Sequence, residues 1–480
     1  MHEALTGAGL TGTGSTTVGR WRTTALLGTA AAALALLLVM CGFPSGGATD
    51  PGGSRRAGGD RVNGAAKNPS GQGAPALGWG FTHTEFSAER GGPDARKRAE
   101  KLLSAQPMPQ NQHIMGWGAN NPEESPGRYD FDELDSRVAL MRRTGGTPVI
   151  TLCCAPDWMK GGKAGETDWS KKQLETAPSP EHYKDFAKLA GKVAERYPDV
   201  RHFIVWNEFK GFFDNDKNRW NYEGYTKLYN LVYQELKKVD KDNRIGGPYV
   251  VMDSYGPGED THDSGLKGPW GSVDQRSLDA VTYWNEHKAG ADFLVVDGSS
   301  YTKDDKYVPD EFAATEKFAD VSRRLRKETG LPLWWAEWYV ELADKNDDRN
   351  GWSEKHRTAV QAAAMMAMAE GGATTGFYWN PENQGAACPG CLWSSTGLGG
   401  GDGGRELPMM KLLARFSHEF GPGTRFDRSV AVAADDKPDV RVLADDEATL
   451  VVNILGRPIK ARIDGRTFDM GAYGVRWLRR

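Results

Sequence analysis

Cysteine is scarce, five in 480 residues, which excludes a scaffold held together by disulfides. No long basic run occurs, and 60 Lys plus Arg against 64 Asp plus Glu leave a net charge of −4. That balance gives no electrostatic footprint for nucleic acid. The chain has no His-x-His or His-Glu-x-x-His pair for a catalytic metal, no Gly-x-Ser-x-Gly elbow and no glycine-rich phosphate loop after a late strand. No cofactor or metal is therefore expected. Gly7, Gly9 and Gly12 spell G-x-G-x-x-G, but no strand precedes them, so the match is accidental. Aromatic residues, in contrast, are plentiful at 16 Trp, 15 Tyr and 17 Phe. Their flat amphipathic rings suit binding faces, those for sugars included, as well as cores.

The one long apolar run is Ala25–Met40, preceded by Arg20 and Arg22. Residues 1–43 read as a signal peptide or an uncleaved membrane anchor, and either one carries the rest of the chain outward. The protein is thus expected to be secreted or tethered on the extracellular side, meeting a membrane only through that anchor. Leu38, Val39 and Met40 fit poorly as the site of a lipoprotein Cys41. Residues 44–76 are Gly-, Pro- and Ser-rich, the composition of a flexible linker. Cys388 and Cys391 read as a loop disulfide rather than half a zinc site, because no second Cys-x-x-Cys exists. Cys153 and Cys154 read as buried small hydrophobes pointing to opposite faces of a strand.

Over 77–420 short apolar runs alternate with segments of helical period. Strands are expected at Gly78–Thr82, Gln112–Trp117, Pro148–Leu152, Phe203–Trp206, Arg244–Val250, Asp292–Val296, Pro332–Ala336 and Thr375–Trp379. Helices are expected in every gap and after the last strand. Phe131–Arg143 illustrates them, with Leu134, Val138 and Met141 on one face, acids at the start and arginines at the end. Eight strand–helix units predict an α/β fold, a (β/α)8 barrel. Residues 421–480 change to brief strands with turn signals and predict a small β domain without chemistry of its own.

Barrel active sites lie at the carboxyl ends of the strands. Strand four ends in Trp206-Asn207-Glu208 and strand seven in Trp335-Ala336-Glu337-Trp338, each placing one carboxylate among aromatic rings. Burial among such rings raises a carboxyl pKa. Strands four and seven face each other across the mouth, so Glu208 and Glu337 are expected to converge, and paired carboxylates are the machinery of glycoside hydrolysis. Further candidates at strand ends are His83 and Glu85, Trp158, Asp297 and Tyr301, and Trp379 with Glu382. His83 is read equally as a ligand for a sugar hydroxyl or a satisfied structural histidine. Tyr301 is a candidate donor to Glu337, and Trp379 a platform under the sugar.

These two strand ends resemble those of the clan A glycoside hydrolases. Tyr129-Asp-Phe131, Leu134-Asp135, Arg142-Arg143-Thr-Gly and the appended β domain are most similar to family 39, the β-xylosidase and α-L-iduronidase family. The resemblance implies Glu208 as general acid/base, Glu337 as nucleophile, Asn207 as hydrogen-bond partner of the sugar 2-hydroxyl, and retention of configuration on an oligo- or polysaccharide. A non-catalytic carbohydrate-binding barrel and an endo-acting glycanase are the alternatives. The family often follows Asn-Glu with Pro. Here Phe209, Lys210, Gly211, Phe212 and Phe213 follow, which is expected to remodel the loop, to line a subsite or pack on a helix, and to leave the acid itself untouched.

Overall fold

A computed structural model describes residues 76–258, 262–343, 349, 351–385, 387–433 and 439–479. The apolar run of 1–43, and the linker 44–76 up to residue 75, lie outside the described residues. Among the described residues no helix is long and apolar enough to cross a membrane.

Eight parallel strands close into a barrel in the order β1-β8-β7-β6-β5-β4-β3-β2. They are β1 (Gly78–Thr82), β2 (Pro109–His113), β3 (Thr147–Leu152), β4 (His202–Val205), β5 (Arg244–Val251), β6 (Phe293–Ser299), β7 (Leu333–Tyr339) and β8 (Thr375–Tyr378). Eight longer helices alternate with them: α1 (Pro93–Ala105), α2 (Asp132–Arg143), α3 (Tyr183–Arg196), α4 (Tyr222–Val239), α5 (Gln275–His287), α6 (Glu316–Thr329), α7 (Glu354–Glu370) and α8 (Pro408–Glu419). On α2 the expected face, Leu134, Val138 and Met141, is buried. Each such side chain contributes roughly 1.5–3 kcal/mol of burial.

Strand β2 lies earlier than the expected 112–117. Its residues, Pro-Gln-Asn-Gln-His, are all buried yet mostly polar, so hydrophobicity points instead to the apolar residues that follow. Two of these polar side chains are bonded to neighbouring groups. Gln110 bonds His83 and Thr144, while Asn111 bonds Thr82 and Thr151.

Barrel-lining apolar residues include Val149, Ile204, Tyr249, Phe293, Val295, Trp334, Ala336 and Phe377, whereas Leu333, Trp335 and Trp338 pack outward against the helices. Between Val296 and Asp297 the β6–β7 register slips by one residue, pairing Asp297 with Glu337. Such a bulge turns two successive side chains of β7 to the same side, so Glu337 follows Ala336 inward instead of alternating outward.

An unforeseen three-stranded sheet of 254–255, 263–268 and 271–274 follows β5. The C-terminal strands β9 (Val440–Ala444), β10 (Ala448–Asn453) and β13 (Val475–Arg479) form one antiparallel sheet, and β11 (Ile459–Ile463) pairs with β12 (Arg466–Met470). Leu443, Leu450 and Val452 join the main core, and Trp477 packs on Phe420 just after α8. The structure pairs Cys388 with Cys391, and also Cys153 with Cys154. The second pairing corrects the expected opposite orientation: both residues lie beyond Leu152, where strand alternation has stopped.

Candidate active site

The end of β4 leaves extended backbone abruptly. Trp206, Glu208 and Phe209 have φ of 70°, 48° and 53°, left-handed values that non-glycine residues adopt at a cost of about 1 kcal/mol or more each. The surrounding packing holds them there. The Trp206 indole N–H donates to the Lys210 carbonyl at 2.8 Å, and its ring packs edge-on against Phe186 of α3. Phe209 stacks on Tyr225 of α4 with centroids 4.2 Å apart, and Phe212 packs against the same tyrosine. Both phenylalanines are buried, so this part of the aromatic loop packs on the neighbouring helix.

The loop delivers Lys210 onto Glu208: Lys210 Nζ lies 2.6 Å from Glu208 Oε2 and 3.3 Å from Glu175 Oε1. This corrects the expectation that the residues after Asn207-Glu208 leave the acid untouched.

Across the mouth, Glu337 is buried and accepts two hydroxyl hydrogen bonds. Tyr249 of β5 donates to Oε1 at 2.6 Å, and Tyr339, two residues further along β7, donates to Oε2. Tyr249 itself has φ 56° and sits where the β5–β6 register slips, which carries its ring inward. One carboxyl oxygen from each of Glu208, Asp297 and Glu337 lies within 4.8 Å of the other two. The first and last converge as expected, and Asp297 of β6 stands with them.

The electrostatics are unequal. Burial opposes the charge on Glu208, but Lys210 and a hydrogen bond with Asp297 outweigh it and hold the carboxyl below its ordinary range. Burial and the proximity of Glu208 push Glu337 up to about 7, against the pull of its two tyrosines. Asp297 rises well above the ordinary range through burial and the neighbouring Glu208 and Glu337. The expectation of a raised pKa at both glutamates therefore holds for Glu337 and is reversed at Glu208, because an ammonium in contact outweighs apolar surroundings.

Asn207 is buried and its side chain acts on His113 at the end of β2, while the Asn207 Oδ1 and the His113 ring nitrogens have no well-aligned hydrogen-bond partner among the described residues. Trp379, one residue past β8, is half-buried and lies edge-on to His113 and Trp117, each 6.2 Å away. Lys210 sits 5.4 Å from the Trp117 ring centre. These residues form an aromatic wall beside the carboxylates.

The other candidates are engaged by other neighbours. His83 is fully buried, its ring nitrogens engaged by Ser87 at 2.5 Å and Gln110 at 2.9 Å, and burial with nearby Arg137 lowers its pKa to about 3. That is the satisfied structural histidine, with no ring nitrogen left for a sugar. The Trp158 indole N–H is taken by the Glu123 carbonyl, and Tyr301 rests its ring against Tyr307. Glu382 accepts from Trp393 and Thr396 inside the protein, while the Glu85 carbonyl accepts from Arg137.

Tyr249, Tyr339, Lys210 and His113 are the site residues sequence reading passed over. Tyr249 lies within an apolar run, and His113 was hidden by the misplaced second strand; a polar residue at the corrected end of β2 is the signal that finds it. Three carboxylates are a donor set that a hard cation accepts by type. Here Lys210 occupies one Glu208 oxygen and hydroxyls cap both oxygens of Glu337, so a cation would have to displace them.

No protein-family model matches the chain. It is 31% identical over 141 residues to a β-xylosidase of Caldicellulosiruptor saccharolyticus, a stretch covering 27% of this chain and 27% of that protein. The chain thus matches about a quarter of the length of this curated relative. Among solved structures it resembles SrfJ of Salmonella typhimurium (TM-score 0.56, 14% identity, 84% of this chain and 89% of that one). It also resembles a family 39 glycoside hydrolase of Bacteroides cellulosilyticus WH2 (0.51, 14%, 84% and 79%) and a GH39 β-xylosidase of Caulobacter crescentus (0.50, 16%, 81% and 79%). At these identities the likenesses establish the barrel fold.

Proposed function

We propose that this chain is an exported, retaining glycoside hydrolase acting on β-xylosidase-type linkages in oligo- or polysaccharides. One observation carries the reading: Glu208 and Glu337, from opposite sides of the barrel mouth, bring carboxyl oxygens within 4.8 Å of each other. Carboxyl groups about 5–5.5 Å apart leave room for direct attack on the anomeric carbon, whereas inversion needs about 6.5–9.5 Å to seat a water between them. The local sequence likeness to a β-xylosidase supports the substrate class.

Glu337 is the nucleophile in this reading. Two tyrosyl hydroxyls stabilise its anion and fix its direction, and it attacks as the glycosidic bond breaks. Glu208 protonates the departing oxygen and then takes a proton from the water that releases the sugar. Asn207, whose Oδ1 has no well-aligned partner among the described residues, is placed beside the acid to hold a hydroxyl of the bound sugar.

The Lys210–Glu208 ion pair favours a second reading, a barrel that binds carbohydrate without cleaving it, because an acid neutralised by an ammonium has no proton to give. Turnover of aryl and alkyl β-xylosides, with NMR of the first-formed anomer, separates the two. Retention is expected, with a fluoro-sugar label trapped on Glu337. Inversion contradicts the mechanism, and sugar binding without turnover selects the binder.

A further inference from the structure

The proposed acid is held by a lysine, and this raises the question of where its proton resides. Glu208 Oε2 is 2.6 Å from Lys210 Nζ, so a proton on Glu208 competes directly with an ammonium. One carboxyl oxygen of Asp297 lies within 4.8 Å of one of Glu208, and the two carboxyls act on each other through a side-chain hydrogen bond. Two carboxyls can hydrogen-bond only if one of them carries a proton.

Asp297 is the better place for it. It is buried, and its Oδ1 has no hydrogen-bond partner among the described residues. Lys317 acts on Asp297 and Asp253 as a buried ammonium whose pKa burial lowers to about 8, and it donates to Ser254 at 2.9 Å. The groups facing Asp297 are otherwise acidic or neutral: Glu208 from β4, Glu337 from β7, Asp253 after β5, and the hydroxyls of Tyr249 and Tyr339. Each unscreened negative neighbour favours the protonated form.

We infer that Asp297 is a positioning residue that stores the catalytic proton and hands it to Glu208 when the leaving group forms. This rests on the glycosidase reading above. In the first step Asp297–H passes its proton to the Glu208 carboxylate, and Glu208 then passes that same proton to the glycosidic oxygen. The C–O bond breaks, an alcohol departs, and the anomeric carbon bonds to Glu337. In the second step water attacks that carbon, the bond to Glu337 breaks, and the water proton passes through Glu208 back to Asp297. Lys210 keeps its charge throughout, so Glu208 rests as an anion in both halves of the cycle.

The test is Asp297→Asn, which keeps shape and a donor to Glu208 but cannot release a proton. On an alkyl β-xyloside, whose leaving group needs protonation, kcat/KM should fall about 100- to 1,000-fold, the ordinary range for general acid catalysis. On a dinitrophenyl β-xyloside, whose leaving group departs unprotonated, the first step should remain within about threefold. Adding Lys210→Met to Asp297→Asn should restore at least about tenfold on the alkyl substrate, because Glu208 then holds its own proton. Equal losses on both substrates, or no loss, or no rescue, overturn the proposal.

Infrared difference spectra give a readout independent of turnover and of variant folding. At about pH 8.5, with most Glu337 ionised, the wild-type protein should show a protonated-carboxyl stretch. Its absence overturns the proton store. A wild-type protein inactive on every glycoside fails the glycosidase reading itself. An active wild type with the wrong Asp297→Asn pattern fails only this inference.

Discussion

Replacing Tyr249 with Phe removes one hydroxyl, at 2.6 Å from Glu337 Oε1, and leaves the ring in place among the barrel-lining residues. A hydrogen bond to a charged acceptor contributes about 1.5–3 kcal/mol. Most of it acts on the carboxylate rather than the acid, so at 1.36 kcal/mol per pKa unit its loss should raise Glu337 by about 1–2 units. The starting value is about 7, so the variant should titrate near pH 8–9. The nucleophile works only when ionised, and activity is lost as pH falls through this pKa. The acidic limb of the kcat/KM profile should therefore shift upward by that amount, and at about pH 6 the variant should be about ten- to a hundredfold slower than wild type. A dinitrophenyl glycoside isolates the effect, because its departure needs no acid. An acidic limb that stays in place, or moves to lower pH, refutes the assignment of Tyr249 as the group that keeps the nucleophile ionised.

Lys210→Met strands the Glu208 carboxylate, and breaking a buried pair costs about 3–5 kcal/mol. Glu208 has its pKa lowered in the folded state, so the stability it brings is present above the unfolded value and lost as pH falls through the folded one. Denaturant unfolding should show a deficit of about 3 kcal/mol near neutral pH that shrinks below about pH 4.5; a deficit independent of pH contradicts the ion pair. His83→Leu removes the ring partner of the Ser87 hydroxyl and of the Gln110 side-chain carbonyl and should destabilise by about 1–3 kcal/mol. Its kcat/KM per folded molecule should stay within about twofold of wild type, and a larger loss would return His83 to the binding site.

Periodicity was enough for the barrel. Two apolar runs end where carboxylates begin, and the helix expected at 131–143 is found at Asp132–Arg143. The exception is β2: its five residues are buried yet mostly polar, Gln110 and Asn111 bond to His83, Thr144, Thr82 and Thr151, and hydrophobicity does not register such hydrogen bonds. The two glutamates were legible because each stands alone at the end of an apolar strand. Asp297 was legible as a strand end and Tyr249 was not, but nothing in the chain order ties either of them to the glutamates on other strands.

Identity and spacing thus determined that two acids would stand at the rim of an eight-stranded barrel. Which way they point was decided only in three dimensions. Strict alternation sends Glu337 outward with Trp335, and a one-residue slip between neighbouring strands turns it inward to meet Glu208. Charge was settled the same way. Three carboxyls and one ammonium share a space too small and too dry for each to keep its solution pKa, so protonation belongs to the cluster and to no residue read alone.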